Sequence, residues 1–287
     1  MLDFATQTAR DAGRILLERF GRAMQISRKG DIDLVTEADL AAERMIVERI
    51  RSYFPRHAIL AEESGVSAAR DAGPSEWRWI IDPLDGTTNY SHGYPCFCVS
   101  IALERAGEII IGVVYDPVRE ELFAAEQGAG ATLNGRRIRV SEIGDLNSAL
   151  LCTGFPYDVR ERRQFARNFA NFIMHAQSVR RDGSAALDLA CVACGRFDGF
   201  WEDFRQAPLN INTNQLGRPS GEAFAYSESA LQGLKLWDVA AGMLLIREAG
   251  GRVTNTNGSL LTTDMTETQF VASNGLIHDA MLRVLAL

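Results

Sequence analysis

The chain has 287 residues, of which 46% are hydrophobic and 23% are charged. This balance is typical of globular proteins and excludes disordered, collagen-like and coiled-coil chains, and the length suits about two domains or one large interleaved domain. Thirty basic and 37 acidic residues give a net charge of −7, which disfavours direct binding to nucleic acid or to an anionic membrane surface. No apolar run approaches the ~20 residues of a membrane-spanning helix, and the N-terminus has no signal-peptide pattern. We therefore expect a cytoplasmic protein.

Five cysteines are too few, and odd in number, for a disulfide framework at this length. Cys96-x-Cys98 and Cys191-x-x-Cys194 have spacings that zinc ligands use, so a four-thiolate zinc site is one interpretation. Their apolar neighbours favour the alternative, in which the cysteines are small packing residues.

The first half of the chain begins with two helical patterns and then changes to a strand pattern. Apolar spacing predicts helices over residues 3–20 and 36–54, and Thr36 followed by Asp39 resembles a capping box that places Asp39 in the first helical turn. Short apolar runs with short connections then predict an antiparallel meander. Its strands are expected at 79–81, 99–103, 109–115, 122–125, 131–133 and 137–140.

The second half alternates strands and helices. Strands are expected at 150–153, near 179, at 200–201 and after 268, and helices at 161–175, 184–194, 239–249 and the C-terminus. We therefore predict an N-terminal α+β half over 1–145 and a C-terminal α/β half over 146–287. The polar stretch 203–233 interrupts the pattern as a long loop, and such loops are usually functional or disordered.

The most informative segment follows the apolar run Trp79-Ile80-Ile81. It reads Asp82-Pro83-Leu84-Asp85-Gly86-Thr87-Thr88-Asn89, two carboxylates three residues apart followed by a glycine and two hydroxyls. Hard oxygen ligands at the end of a buried strand suit Mg²⁺, and a helix beginning at Gly86 would direct amide groups towards an anion. The alternative is an ordinary turn in which aspartate is a cap residue.

Two further acidic segments lie at the ends of predicted strands or helices. Glu62-Glu63 follows the apolar Ile59-Leu60, and Asp238 lies where an N-cap would precede an apolar helix. Taken singly, the glutamates suit a solvated surface and Asp238 suits a plain cap. Carboxylates that converge on one point repel one another unless cations lie between them, so a shared metal site would explain the whole set.

These segments together resemble the motifs of the inositol monophosphatase family. The matching strings are 33–39 (Asp-Leu-Val-Thr-Glu-Ala-Asp), 62–64 (Glu-Glu-Ser), 82–89 and 237–242 (Trp-Asp-Val-Ala-Ala-Gly). Two more, 183–188 (Gly-Ser-Ala-Ala-Leu-Asp) and 195–202 (Gly-Arg-Phe-Asp-Gly-Phe-Trp-Glu), resemble its bacterial branch. The resemblance implies a five-layer αβαβα sandwich of the α+β class, with an antiparallel sheet in the N-terminal half and mixed α/β structure in the C-terminal half. It also implies a lithium-sensitive phosphomonoesterase with two or three Mg²⁺ ions per site, usually a homodimer.

The resemblance assigns roles to residues by position. The metal ligands would be Glu62, Asp82, the Leu84 carbonyl, Asp85 and Asp238. Asp39 and the Thr87 hydroxyl would orient and activate the attacking water, so Asp39, Glu62, Asp85 and Thr87 form the expected catalytic set. Residues facing the substrate would be Gly86, Thr87, Thr88, Gly183, Ser184, Ala185, Glu202 and Asp238, and Lys29 would approach the metals.

The expected reaction is hydrolysis of a small phosphomonoester, with myo-inositol monophosphate as the first candidate, by direct attack of a metal-activated water. Histidinol phosphate, a nucleotide 3′-phosphate or a sugar bisphosphate are alternatives, as is a non-catalytic regulatory protein of the same fold. The family usually joins the positions of Glu202 and Asp238 by a few residues, whereas 35 intervene here. The insertion at 203–233 would form either a rim of the substrate mouth or a surface elaboration that never contacts substrate.

Overall fold

The computed structural model describes residues 1–21, 26–29, 33–67, 75–154, 162–203, 205–206, 231–232, 234–261, 263 and 269–287. For 26–29, 33–35, 66–67, 162–164, 203, 205–206, 231–232 and 269 this description concerns the backbone only. Most of the predicted insertion at 203–233, and the side chain of Lys29, therefore lie outside the described residues. None of the helices in the described ranges is long and apolar enough to cross a lipid bilayer.

Seven α-helices are described, and each predicted helix is present. They are α1 Leu2–Arg19, α2 Glu37–Tyr53, α3 Thr87–Ser91, α4 Arg162–Ile173, α5 Ala185–Ala193, α6 Leu236–Glu248 and α7 His278–Leu285, with a 3₁₀ turn at Leu146–Ser148. The predicted capping box at α2 is confirmed: the Thr36 side chain accepts from the amide of Asp39, and the Thr36 amide donates to the Asp39 carboxylate. This reciprocal pair fixes Asp39 in the first turn.

An eight-stranded sheet forms the first β layer, in the order β10-β9-β8-β7-β6-β5-β3-β4. Its strands are β3 Ala58–Ala61, β4 Gly65–Ser67, β5 Trp77–Asp85, β6 Cys98–Arg105, β7 Glu108–Asp116, β8 Glu121–Glu126, β9 Gly130–Leu133 and β10 Arg136–Arg137. The predicted antiparallel meander from β5 to β10 is confirmed, and β3 pairs in parallel with β5. The last strand, β10, spans Arg136–Arg137 in place of the predicted 137–140.

A five-stranded mixed sheet forms the second β layer, in the order β12-β11-β13-β17-β16. Its strands are β11 Leu150–Thr153, β12 Ser178–Arg180, β13 Gly199–Asp203, β16 Arg252–Thr254 and β17 Gln269–Ser273. Two small ribbons complete the set, β1 Ile26–Lys29 with β2 Asp33–Thr36, and β14 Arg205–Gln206 with β15 Leu231–Gln232. The second ribbon joins the two ends of the inserted segment.

Three hydrophobic clusters fill the interfaces between five layers, and one of them lies on both sides of the α5 and α6 layer. One face of the eight-stranded sheet packs on α1 and α2, and the other packs on α5 and α6. The five-stranded sheet covers the far side of α5 and α6 and carries α4 and α7 on its outer face. This is the αβαβα sandwich that the resemblance implied. The division into halves at residue 145 stays a prediction.

Candidate active site

The acidic segment after Trp79 ends a fully buried part of β5. Asp82 pairs with Ser100 of β6 and Asp85 pairs with Cys98, so β5 has one extra residue between the two carboxylates. Pro83 lies in this bulge, where a residue without an amide hydrogen does not cost a ladder bond. The Leu84 amide instead donates to Asp82 Oδ1 over 2.9 Å. At this bulge the carbonyl oxygen of Leu84 accepts from the Thr87 hydroxyl.

Gly86 turns the chain from β5 into α3. Its φ of 101° lies in the left-handed region, and a Cβ at this position would lie 2.9 Å from the carbonyl oxygen of Cys96. A larger residue would therefore be both strained and crowded. The turn lets α3 begin at Thr87, with Gly86 as its N-cap.

The Thr87 hydroxyl connects α2 with the end of β5. It lies 3.1 Å from Asp39 Oδ1 and 3.0 Å from the Leu84 carbonyl oxygen. The second oxygen of Asp39 accepts from the Thr36 amide over 2.9 Å and from the Thr36 hydroxyl. Burial raises the pKa of Asp39, while the hydrogen bonds from Thr36 and Thr87 oppose that rise. Asp39 and Thr87 are therefore brought together as expected.

Three carboxylates lie close enough to Asp82 to raise its pKa. Burial raises the pKa of Asp82 well above its usual value, and the neighbouring carboxylates of Glu62, Asp85 and Asp238 raise it further. Glu62 follows β3, whose parallel pairing with β5 places the two strand ends side by side. Buried like charges retain protons unless a cation compensates them. The structure thus brings Glu62, Asp85 and Asp238 close enough to Asp82 for their charges to act on it.

The first turn of α5 holds Asp85 in place. Its Oδ2 accepts from the Ser184 hydroxyl over 2.7 Å and from the Ala186 amide over 2.6 Å, and the Ala185 amide also contacts it. Burial raises the pKa of Asp85, and these donors oppose the rise. A helix N-terminus favours negative charge, so α5 helps to keep Asp85 ionised.

Asp238 does not occupy the position that the sequence predicted. The N-cap of α6 is Lys235, and Asp238 is the third residue of the helix, where its Oδ2 accepts from the Lys235 amide over 2.6 Å. The helix begins three residues earlier than expected because Leu236 and Trp237 continue its apolar pattern towards the N-terminus. Burial raises the pKa of Asp238 well above its usual value, and Asp85 and Glu202 add to the rise.

Glu202 lies next to these groups, at the end of β13, and is buried. A Cβ on Gly154 would overlap its carboxylate, so the glycine at 154 makes space for it. Gly183, with a φ of 84°, precedes α5 and approaches the side chain of Asn89. The two predicted substrate-facing segments, 183–185 and Glu202, therefore lie on the side of the cluster formed by the five-stranded sheet and α5.

The donor set fits a hard divalent cation in its chemistry. In the part of the chain that the structure describes, no three His, Cys, Asp or Glu side chains form a preformed metal site. The donors are nevertheless carboxylate and carbonyl oxygens, which Mg²⁺ prefers. Because the carboxylates are buried and repel one another, a bound cation would stabilise them. The assignment of metal ligands stays a prediction.

Two contacts in the site were not predicted from the sequence. Asn89 donates to the carbonyl oxygens of Cys96 and Asp182, over 2.8 and 2.7 Å, and so joins α3 to the segment before α5. The thiol of Cys98 lies 3.8 Å from Asp85 Oδ2 and 3.6 Å from the Ser184 hydroxyl. The side-chain amide of Asn89, at the end of the acidic motif, is a signal from which the first contact could have been expected. No local pattern indicates the contact of Cys98 with Asp85 and Ser184.

The zinc interpretation is wrong for the described residues. Cys98 lies beside Ser184 at the beginning of α5, whereas Cys191 and Cys194 lie at its other end. The two pairs therefore cannot share one ion.

Comparisons with known proteins match nearly the whole chain to one family. The family model described as "Inositol monophosphatase family" matches residues 1–208 and 219–286. The chain is 42% identical to an inositol-1-monophosphatase of Synechocystis, with 99% of this chain and 88% of the relative aligned. It is 41% identical to "Nus factor SuhB" of Salmonella typhimurium, over 98% of this chain and 94% of the relative.

Solved structures show the same relationship. An inositol monophosphatase from Anabaena is 42% identical, with a TM-score of 0.79 over 99% of this chain and 94% of that chain. The extragenic suppressor protein suhB of Bartonella henselae is 38% identical, with a TM-score of 0.83 over 99% and 97%.

Proposed function

Because the chain belongs to the inositol monophosphatase family, we propose that it is a Mg²⁺-dependent phosphatase that hydrolyses myo-inositol monophosphate. The observation that carries the proposal is the junction of Asp39, Thr87 and the Leu84 carbonyl with the buried carboxylates of β5. This junction places an oriented hydroxyl beside a group of donors for a hard cation.

The metal ligands in this proposal are Glu62, Asp82, the Leu84 carbonyl, Asp85 and Asp238, which would hold two or three Mg²⁺ ions. When bound, Mg²⁺ lowers the pKa of water and stabilises the charge that develops on a phosphate ester during in-line displacement. The chain supplies the fixed positions: α5 orients Asp85 through Ser184 and Ala186, and the Lys235 amide orients Asp238. Pre-oriented ligands reduce the ordering that substrate binding requires.

Thr87 positions the attacking water and Asp39 positions Thr87. When the hydroxyl donates its one proton to Asp39 Oδ1, its lone pairs are free to accept a hydrogen from water. Because the other oxygen of Asp39 is held by Thr36, the carboxylate keeps its orientation during the reaction. In the general-base step of the proposal, the Thr87 oxygen takes a proton from water as the Thr87 proton passes to Asp39 Oδ1.

The alcohol part of the substrate would face Gly183, Ser184, Ala185 and Glu202, and the phosphate would face the amides of Gly86, Thr87 and Thr88. Glu202 is buried, so its carboxylate is suited to accept hydrogen bonds from a polyol. A carboxylate on the alcohol side of the site favours an inositol or sugar phosphate over an ester with an apolar alcohol. Histidinol phosphate, a nucleotide 3′-phosphate and a sugar bisphosphate share the same chemistry and remain competitors for the site.

The experiment is phosphate release from a panel of monoesters in Mg²⁺ buffer. We expect kcat/KM for myo-inositol 1-phosphate to exceed that for histidinol phosphate, adenosine 3′-phosphate and fructose 1,6-bisphosphate by at least about 10-fold, the size of one lost buried hydrogen bond. A higher kcat/KM for a competitor would reassign the substrate while leaving the reaction class intact.

A second candidate, a role in transcription, is favoured by the relatives named Nus factor SuhB. The net charge of −7 favours a protein partner over direct contact with nucleic acid. Association of the purified chain with transcription elongation complexes, compared in low and moderate salt, tests this candidate separately from hydrolysis.

A further inference from the structure

Two cysteines lie together at the end of α5 that is remote from the acidic cluster. Cys191 is in the last turn of the helix and Cys194 is its C-cap. Both are partly exposed, whereas the other three cysteines, Cys96, Cys98 and Cys152, are buried. A reagent in solvent therefore reaches Cys191 and Cys194 before the rest.

The Cys194 thiol donates to the backbone carbonyl oxygen of Cys191 over 3.5 Å, and the two thiols differ in their chemical environments. A hydrogen bond with the Cys191 thiol lowers the pKa of Cys194 to about 7, and the nearby Arg196 guanidinium also lowers it. The same hydrogen bond raises the pKa of Cys191. Arg196 is held in place by a bidentate ion pair with Glu121, over 2.5 and 2.6 Å. The Cys194 thiol therefore loses its proton more readily than the Cys191 thiol.

The two cysteines lie at the turn where α5 ends. Residues three apart on a helix have Cβ atoms about 5–6 Å apart, and a disulfide needs about 3.5–4.5 Å. Cys194 is the capping residue, with φ −97° and ψ 6°, and the next residue, Gly195, has a φ of 76°. The helix ends there, so a movement that joins the two sulfurs would fall on the capping turn and not on the body of α5.

We propose that Cys191 and Cys194 form a reversible thiol–disulfide site that reacts with small organic disulfides. The Cys194 thiolate attacks one sulfur of the reagent, the reagent's S–S bond breaks, and one thiolate leaves. The Cys191 thiol then gives its proton to this leaving thiolate, and its sulfur attacks the Cys194 sulfur, releasing the second half of the reagent as a thiolate, which takes a proton from water. Two cysteine thiols are oxidised and one organic disulfide is reduced to two thiols.

The test treats the full chain with 2-hydroxyethyl disulfide at pH 7 and follows it by thiol counting and by mass spectrometry of peptides. We expect the wild-type chain to lose two thiols without added mass, with a Cys191–Cys194 crosslink that dithiothreitol removes. Cys191→Ser should retain a stable mixed disulfide on Cys194. Cys194→Ser should react at least about 10-fold more slowly, because it lacks the more acidic of the two thiols. The buried-site control Cys152→Ser should give the same crosslink as wild type.

Circular dichroism in both states checks that each variant is folded. Stable mixed disulfides on wild-type Cys191 or Cys194 without a crosslink would overturn the proposal. So would equal reaction rates of the two single variants, or loss of thiols first at the buried cysteines.

Discussion

At the residue scale, the proposed chemistry depends on how one hydroxyl proton is placed. Thr87 has two acceptors within reach, Asp39 Oδ1 and the Leu84 carbonyl oxygen, but only one proton. If a cation takes the Leu84 carbonyl, Asp39 becomes the sole acceptor, and the hydroxyl turns its lone pairs towards water. In the proposed chemistry Asp39 is therefore a positioning residue that acts through Thr87.

Substitution of Thr87 tests this relay. We expect Thr87→Ala to lower kcat for the phosphomonoester by roughly 10²–10⁴-fold with little change in KM, because the lost contact acts in the transition state. Thr87→Ser retains the hydroxyl and should recover most of the activity. Steady-state kinetics with Mg²⁺ saturating provide both constants. A rise in KM alone would instead make Thr87 a phosphate-binding residue.

A second prediction at this scale concerns stability and a residue far from the site. His278 is buried, with its ring nitrogens 2.8 Å from the Thr254 and Ser273 hydroxyls, and burial lowers its pKa to about 4. An unfolded histidine has a pKa of about 6.5, so the folded state binds fewer protons between these values. This contribution is fully present above pH 6.5 and falls by up to about 3 kcal/mol as the pH drops to 4.

Urea unfolding of wild type and His278→Gln between pH 7 and 4 measures the effect. Other groups titrate in this range in both chains, so the difference between the two curves isolates the histidine. We expect the free energy of unfolding of the variant to depend less on pH than that of wild type. Parallel curves would show that His278 keeps an ordinary pKa in the folded protein.

At the element scale, the acidic motifs depend on how α6 packs against the eight-stranded sheet. A Cβ on Gly112 of β7 would lie 2.7 Å from the carbonyl oxygen of Ala241 and 3.0 Å from its Cα, so backbone meets backbone there. This close approach positions α6, and with it Asp238, against β5 and β6.

Replacing Gly112 with alanine should therefore destabilise the protein. We expect Gly112→Ala to lower the free energy of unfolding by about 1–3 kcal/mol, as overpacking usually does. Gly144→Ala is the matched control, since a Cβ there meets nothing within 4 Å, and it should stay within about 0.5 kcal/mol of wild type. Chemical denaturation measures both variants, and equal stabilities would mean that α6 is not held at this point.

The sequence predicted most elements because their apolar periods were long and their ends were marked. Thr36 and Asp39 marked the beginning of α2 and, through it, one position of the site. The beginning of α6 was misplaced because an aspartate at the N-cap and one at the third position both suit a helix end, and Lys235 carries no capping signal. The contact of Cys98 with Asp85 depends on tertiary packing between β6 and α5, which no local pattern encodes.

At the scale of the whole molecule, the five layers bring together carboxylates from segments far apart in the chain. Glu62 follows β3, Asp82 lies on β5 and Asp238 lies on α6. Asp82 and Asp238 are buried, and their negative charges oppose folding when they are ionised. A divalent cation that binds only the folded chain would remove this penalty. The folded state is therefore expected to gain stability with Mg²⁺.

This linkage gives a prediction that is independent of turnover. Mg²⁺ at 100 times its dissociation constant should stabilise the wild-type chain by about 2.7 kcal/mol, seen as a rise in melting temperature. Asp85→Asn, which weakens the proposed ligand set, should show a much smaller rise. An equal rise in both proteins would place the stabilising ion elsewhere.

The central claim is that hydrolysis depends on Mg²⁺ held by the acidic cluster. The most direct measurement is phosphate release from myo-inositol 1-phosphate as Mg²⁺ is titrated, with wild type, Asp85→Asn and the surface control Asp279→Asn, whose carboxylate pairs with Arg252. We predict that wild type and the control show the same Mg²⁺-dependent activity, abolished by EDTA, and that folded Asp85→Asn loses at least about 10²-fold in kcat, the size of one removed transition-state group. Full activity of wild type in EDTA, or of Asp85→Asn in Mg²⁺, would contradict the account.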